Sequence, residues 1–153
     1  MIESAKVRQW LEQDGHTVDV VENAKARWHL ATKYPTNDGL QIHLLCPADR
    51  DHTLRVILAV QVVDEHQQAL RGLKPEAFRT FRFALQRDLL LHGRTEYLLN
   101  QTDDERSMKS AATARTLHED GLSAETFYSA LREVHDAMLL IILHVRLASN
   151  ESL

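Results

Sequence analysis

The sequence predicts an α+β fold: one antiparallel sheet flanked by an N-terminal helix, a middle helix and a long C-terminal helix. Three observations carry this expectation. The apolar period changes from helical to two immediately after Asp14-Gly15. Turn clusters then cut residues 17–63 into short β-rich segments, joined closely enough to favour an antiparallel meander. From Ser123 to Ala148 the residues Phe127, Leu131, Val134, Met138, Ile141 and Val145 recur every three or four positions, which places one apolar stripe along a long helix.

In order along the chain, residues 3–13 predict a short helix with Val7, Trp10 and Leu11 on its inner side, stopped by Gly15. Thr17–Val21 is β-rich, and Glu22-Asn23-Ala24 forms a turn. Trp28, Leu30, Thr32 and Tyr34 alternate with Arg27, His29, Ala31 and Lys33, as in a half-buried strand. Pro35-Thr36-Asn37-Asp38-Gly39 is a turn cluster, and Leu40, Ile42, Leu44 and Cys46 alternate in the strand after it. Leu54–Val63, apolar on both faces, predicts a central or doubly covered strand. Asp64–Lys74 is expected to be a polar connector. A helix then starts at Pro75, buries Phe78, Phe81, Leu85 and Leu89, and closes at His92-Gly93. Thr95–Asn100 and Met108–Leu117 predict a hairpin around the hydrophilic loop 101–106, although the alanines of the second arm also suit a helix. Asp120-Gly121 turns the chain, and Ser123 caps the last helix. The predicted order is helix, three or four strands, helix, hairpin, helix, within a single domain over residues 1–153.

Composition excludes several functions. Charge sums to −4, which gives no global affinity for nucleic acid or acidic membranes. One cysteine, Cys46, permits no internal disulfide and fits a reducing cytoplasm. The polar N-terminus predicts no secretory signal, and the apolar run Ala137–Leu143 is far too short to span a bilayer. Nine histidines contain no pair at i, i+4, so the spacing offers no metal site, and no cofactor is expected. Cys46 is in phase with Ile42 and Leu44, which points it into the core and away from nucleophilic work. No serine elbow or glycine-rich phosphate loop occurs, so no residue is assigned a catalytic role and a binding module is favoured over an enzyme.

Two surfaces remain. Residues 71–94 carry a local charge of +4, with Arg79 and Arg82 on one helix face as candidates for binding anions. The last helix has more apolar residues than one sheet can cover, because Leu139, Leu140, Leu143 and Leu147 widen its stripe. That surplus predicts a homodimer or a protein partner. Trp28, Leu30 and Tyr34, read as an outer strand, are further candidate contacts, through extension of the sheet edge by a partner strand. They serve equally well as core.

The element order resembles the fold of type III secretion chaperones, small acidic proteins built as helix, three strands, helix, two strands, helix. Glu119-Asp120-Gly121-Leu122, followed by Glu133-Val134-His135 and the apolar helix end, also resembles a prokaryotic domain family assigned to that fold. The resemblance implies dimerisation and the binding of an extended partner segment, and it transfers no site residue. The expected function is therefore that of a cytoplasmic, chaperone- or adaptor-like, homodimeric protein-binding module. The rival readings are a small-ligand binder or enzyme using a pocket between sheet and helix, near His29 or His43, and a nucleic-acid accessory using helix 75–92.

Overall fold

A computed structural model describes residues 1–151. The elements are α1 (Ser4–Gln13), β1 (Val18–Val20), β2 (Ala26–Tyr34), β3 (Leu40–Pro47), β4 (Thr53–Gln61), α2 (Asp64–Arg71), α3 (Pro75–His92), β5 (Glu96–Gln101), β6 (Met108–His118) and α4 (Ala124–Glu151). A single 3-10 turn, Glu119–Gly121, precedes α4. The six strands form one sheet in the order β1-β2-β3-β4-β6-β5. This is the predicted α+β architecture, and the segment 108–117 resolves as a strand. The β-branched Thr113 and Thr116 suit a pleated surface better than its alanines suit a helix.

The chain divides into two compact units, Met1–Leu58 with Ala114–His135, and Ala59–Thr113 with Asp136 onward. In the first unit β2 and β3 form a long hairpin whose register runs from Tyr34↔Leu40 to Ala26↔Pro47. Gly39 closes its turn because a Cβ there would lie 2.1 Å from the Tyr34 carbonyl oxygen. Even-numbered residues of the hairpin face the helices, so Leu30, Ile42, Leu44 and Cys46 are at most 3% exposed. Val7 and Leu11 of α1 and Phe127, Leu131 and Val134 of α4 close this core. Each such side chain contributes about 1.5–3 kcal/mol by leaving water. Polar ties set the helix positions: the Tyr128 hydroxyl donates to the Trp10 carbonyl at 2.6 Å, and the Trp28 indole N–H donates to Ile2 at 2.9 Å. Burial, with Asp14 nearby, pushes the Tyr128 phenol up to about 12. Ser123 caps α4 by accepting the Thr126 N–H at 3.1 Å, while Thr126 Oγ1 accepts the Ser123 N–H at 2.9 Å. This is a reciprocal capping box with threonine in the usual glutamate position.

The second unit packs Leu70 of α2, Phe78, Phe81, Leu85 and Leu89 of α3, and Met138, Ile141 and Val145 of α4. Here the expected polar connector is corrected: Asp64–Arg71 is a helix. Its sequence has no apolar stripe because Leu70 is its one buried residue. Asp64 and Glu65 at its start and Arg71 at its end complement the helix dipole instead. Central placement of β4 agrees with expectation, whereas its second face is not fully covered. Leu54, Val56 and Leu58 are buried, Ile57 is half-buried and Ala59 is exposed.

Candidate functional site

The residues offered by the sequence separate cleanly. Leu30 belongs to the core, and Trp28 and Tyr34 are half-buried on the same face, Tyr34 between the rings of His16 and His135. Their strand is not an outer one. β2 lies between β1 and β3, and the sheet ends instead at β1 and β5. These three side chains therefore build the first unit rather than rim an open edge.

Arg79 and Arg82 also part company. Arg79 lines a surface pocket of about 160 Å³ with Arg71, Arg106 and Glu105, which Arg82 does not line. Arg71 is engaged by Asp104 at 3.3 Å, and Asp104 is held below its ordinary range chiefly by the Thr102 hydroxyl. The basic stretch thus meets acidic residues of the 102–106 loop, which reduces its reach toward phosphates.

The second half of α4 keeps its surplus. Leu139, Leu143 and Leu147 are 39%, 54% and 60% exposed, and Leu140 beside them is half-buried. Their i, i+4, i+8 spacing makes a straight exposed ridge. Its orientation is fixed by α3, where Asp88 accepts from His144 Nε2 at 2.7 Å. That bond, helped by Arg87, holds the Asp88 carboxyl below its usual range. Leu147 also borders a groove lined by Ala77, Thr80, Phe81 and Ala84 of α3. On α3 itself Phe83, Leu90 and Leu91 are 69%, 70% and 79% exposed.

A pair that the sequence did not join appears on the sheet of the first unit. His29 and His43 occupy odd positions of β2 and β3, opposite Leu45 and Ala31, and so share the face turned away from α1 and α4. A small-ligand site between sheet and helix therefore does not include them. His29 Nε2 and His43 Nδ1 are 2.9 Å apart with the rings at 69°, and the Asn23 amide reaches His29 Nδ1 at 3.2 Å. Burial lowers both pKa values, and for His29 the neighbouring His43 adds to the effect. One signal was available in advance. The turn at 35–39 sets Tyr34 against Leu40, and counting back along the hairpin places His29 and His43 diagonally adjacent.

Cys46 is fully buried, and burial raises its thiol pKa, so it lacks the setting of a reactive thiolate. Among the described residues no cluster of three or more His, Cys, Asp or Glu side chains is arranged to hold a metal, and no helix is long and apolar enough to cross a membrane.

No curated protein matches the chain. Among solved structures, an uncharacterised protein from Methanothermobacter thermautotrophicus is similar at TM-score 0.86 and 24% identity, covering 95% of this chain and 97% of that one. YbjN of E. coli, described as a candidate transcription regulator, is similar at TM-score 0.56 and 16% identity, over 95% of this chain and 92% of that one. At these identities the likeness establishes the fold alone, and neither neighbour is described as a secretion chaperone. Residues 3–145, nearly the whole length, match the family described as Uncharacterized conserved protein (DUF2299), and the chain belongs to that family.

Proposed function

We propose that the protein is a protein-binding module, adaptor- or chaperone-like in action, that first associates with a second copy of itself through the outer ridge of α4. The observation that carries this reading is the exposure of Leu139, Leu143 and Leu147 in one line. Single exposed leucines need no explanation, but an aligned set on a rigid helix is the kind of patch that marks an interface.

The sequence of the ridge favours its own copy. Asp136, Leu139, Leu143, Arg146 and Asn150 repeat at three and four residues along one side of the helix, with two leucines between polar ends. Two such sides laid antiparallel place Leu139 against Leu143 of the copy, and the same register places Asp136 against Arg146 of the copy. Both contacts occur twice by symmetry, as an isologous two-fold interface requires. An extended partner strand is a second reading, supported by β5, which ends the sheet and presents Leu98 at 57% exposure.

Sedimentation velocity across a concentration series tests the self-association. The wild type is expected to show a reversible dimer, and Leu139→Asp with Leu143→Asp is expected to remain monomeric with unchanged circular dichroism. Register is tested separately. Asp136→Arg should weaken the dimer, and adding Arg146→Asp should restore it. A wild type that stays monomeric at 100-micromolar-scale concentration sinks the self-association and leaves strand capture at β5 to be tested by peptide binding.

A further inference from the structure

In the second unit the loop between β5 and β6 and the first turns of α3 border a surface pocket of about 160 Å³. Phe78 is buried and Leu73 half-buried, so the two form its apolar base, with Pro75 beside them. Arg71, Arg79, Arg106 and Glu105 are exposed around its mouth. The loop that carries Arg106 is firmly held. Thr102 Oγ1 donates to Asp104 at 2.5 Å and accepts the Ser107 N–H at 3.2 Å. Asp104 also accepts the Arg106 N–H at 3.2 Å, and the buried Ser107 hydroxyl donates to the Gln67 carbonyl of α2 at 2.9 Å. Glu105 has a φ of 55°, which a residue with a side chain adopts at a cost. The hydrogen-bond network therefore fixes this loop against local preference, and Arg106 reaches the same pocket as Arg79 on a rigid support.

The charges around the pocket are not balanced. Arg71 is matched by Asp104 at 3.3 Å. Among the described residues neither Arg79 nor Arg106 is paired with an acid, and Glu105, which lines the same pocket, joins neither. Three guanidiniums against two carboxylates leave a single positive charge. A dianionic phosphate exceeds that balance and gives Phe78 and Leu73 nothing to cover. A carboxylate on an apolar body meets both demands, because its paired oxygens match the guanidinium fork and its body covers the base.

We propose that this pocket binds a carboxylate borne on one small apolar group, with Arg79 and Arg106 holding the oxygens and Leu73 and Phe78 receiving the body. Pockets for drug-sized ligands run to about 300–1,000 Å³, so this one takes a group of side-chain size. A free branched acid and the last residue of a polypeptide both present that chemistry. The site shares no residue with the α4 ridge, so it stands or falls apart from self-association.

The test is titration of isotope-labelled full-length protein with N-acetyl-leucine, followed by nuclear magnetic resonance. Saturating shifts are expected at Phe78, Arg79 and Arg106, with a Kd of about 1 mM, the order reached by ligands of about a dozen heavy atoms. N-acetyl-leucinamide, which lacks the charge, and acetate, which lacks the body, should each bind about tenfold more weakly. Arg79→Gln and Arg106→Gln, both at exposed positions, should each weaken N-acetyl-leucine by about tenfold with unchanged circular dichroism. Arg82→Gln, on the same helix and outside the pocket, should change it by less than about twofold. Isovalerate binding as tightly as N-acetyl-leucine upholds the site and assigns it to free acids, whereas a several-fold preference for N-acetyl-leucine upholds it and assigns it to chain ends. No saturation at tens of millimolar overturns the proposal. So does equal binding of the amide, of acetate or of inorganic phosphate, or an affinity that survives both pocket substitutions.

Discussion

The two units of this chain have comparable lengths and opposite surfaces. In the first, the large apolar side chains with appreciable exposure among the described residues are Met1 and Val20. In the second they are Val63, Phe83, Leu90, Leu91, Leu98, Leu139, Leu143 and Leu147. Both units have well-buried cores, so the contrast is not one of folding quality. α4 shows the difference within one element. Up to His135 its outward positions are polar, among them Glu125, Arg132 and Glu133, and Glu133 pairs with Arg115. Beyond that point Leu139, Leu143 and Leu147 join Asp136, Arg146 and Asn150 at the exposed positions. A helix needs one apolar side to hold a sheet. The second side in the second unit exceeds what its own fold requires, which is why it is the better place to look for binding.

The largest predicted effect sharpens this contrast by substituting two residues of one helix. Phe127→Ala removes a fully buried ring of the first unit and should cost about 3–5 kcal/mol in urea unfolding. Leu143→Ala, 16 residues later, should change the stability of the isolated chain by no more than about 0.5 kcal/mol. A large loss at Leu143 in dilute protein would mean that its side chain is part of the core, and the comparison would break.

Next in size is association. Leu143→Asp should weaken self-association by about tenfold or more, or about 1.4 kcal/mol, in sedimentation equilibrium. Val20→Asp, at a position 71% exposed in the first unit, should leave it unchanged. Equal losses from both would show that apolar exposure as such drives clustering and that the α4 ridge has no special role. Ser123→Ala should cost about 1 kcal/mol by removing the acceptor for the Thr126 N–H, with no effect on association.

The smallest effect is that of pH, and it belongs to the first unit. Folding lowers the pKa of His29 and His43 below the unfolded value near 6.5. Between the folded and unfolded values the unfolded chain binds more protons, so stability rises with pH through that window. The contribution is complete above about 6.5 and is lost as pH falls toward the folded values. Compared with the double variant His29→Gln/His43→Gln, the wild type should lose more stability in urea between pH 7 and pH 5. Identical pH profiles would show that the pair titrates as it does in the unfolded chain.

How far these surfaces were legible in the sequence depends on the range of the signal. α1, α3, α4 and the meander announce themselves because period, caps and turn residues are local. The stripe from Phe127 to Val145 and the leucines beyond it were visible for the same reason. α2 was not, since eight residues with one buried side chain leave no periodic trace, and its stability comes from the packing of Leu70 and from end charges. β2 was misplaced toward the edge because the β-rich segment 17–21 does not show in sequence which strand it joins; Val18–Val20 pairs with Leu30, Ala31 and Thr32 and takes the edge itself. The histidine pair depends on hairpin register, a property of two segments jointly, and becomes readable only once the turn at 35–39 is trusted to set it.

The α4 ridge has a consequence for the life of the protein in a cell. A newly made copy with no companion carries three aligned leucines in the open, the sort of feature by which quality-control machinery recognises unassembled subunits. Pairing would hide them, so the surviving pool would be set by how quickly copies meet as well as by how fast they are made. The same three side chains would then act as a timer on solitary chains, and a variant with a polar ridge would outlast the wild type at low expression.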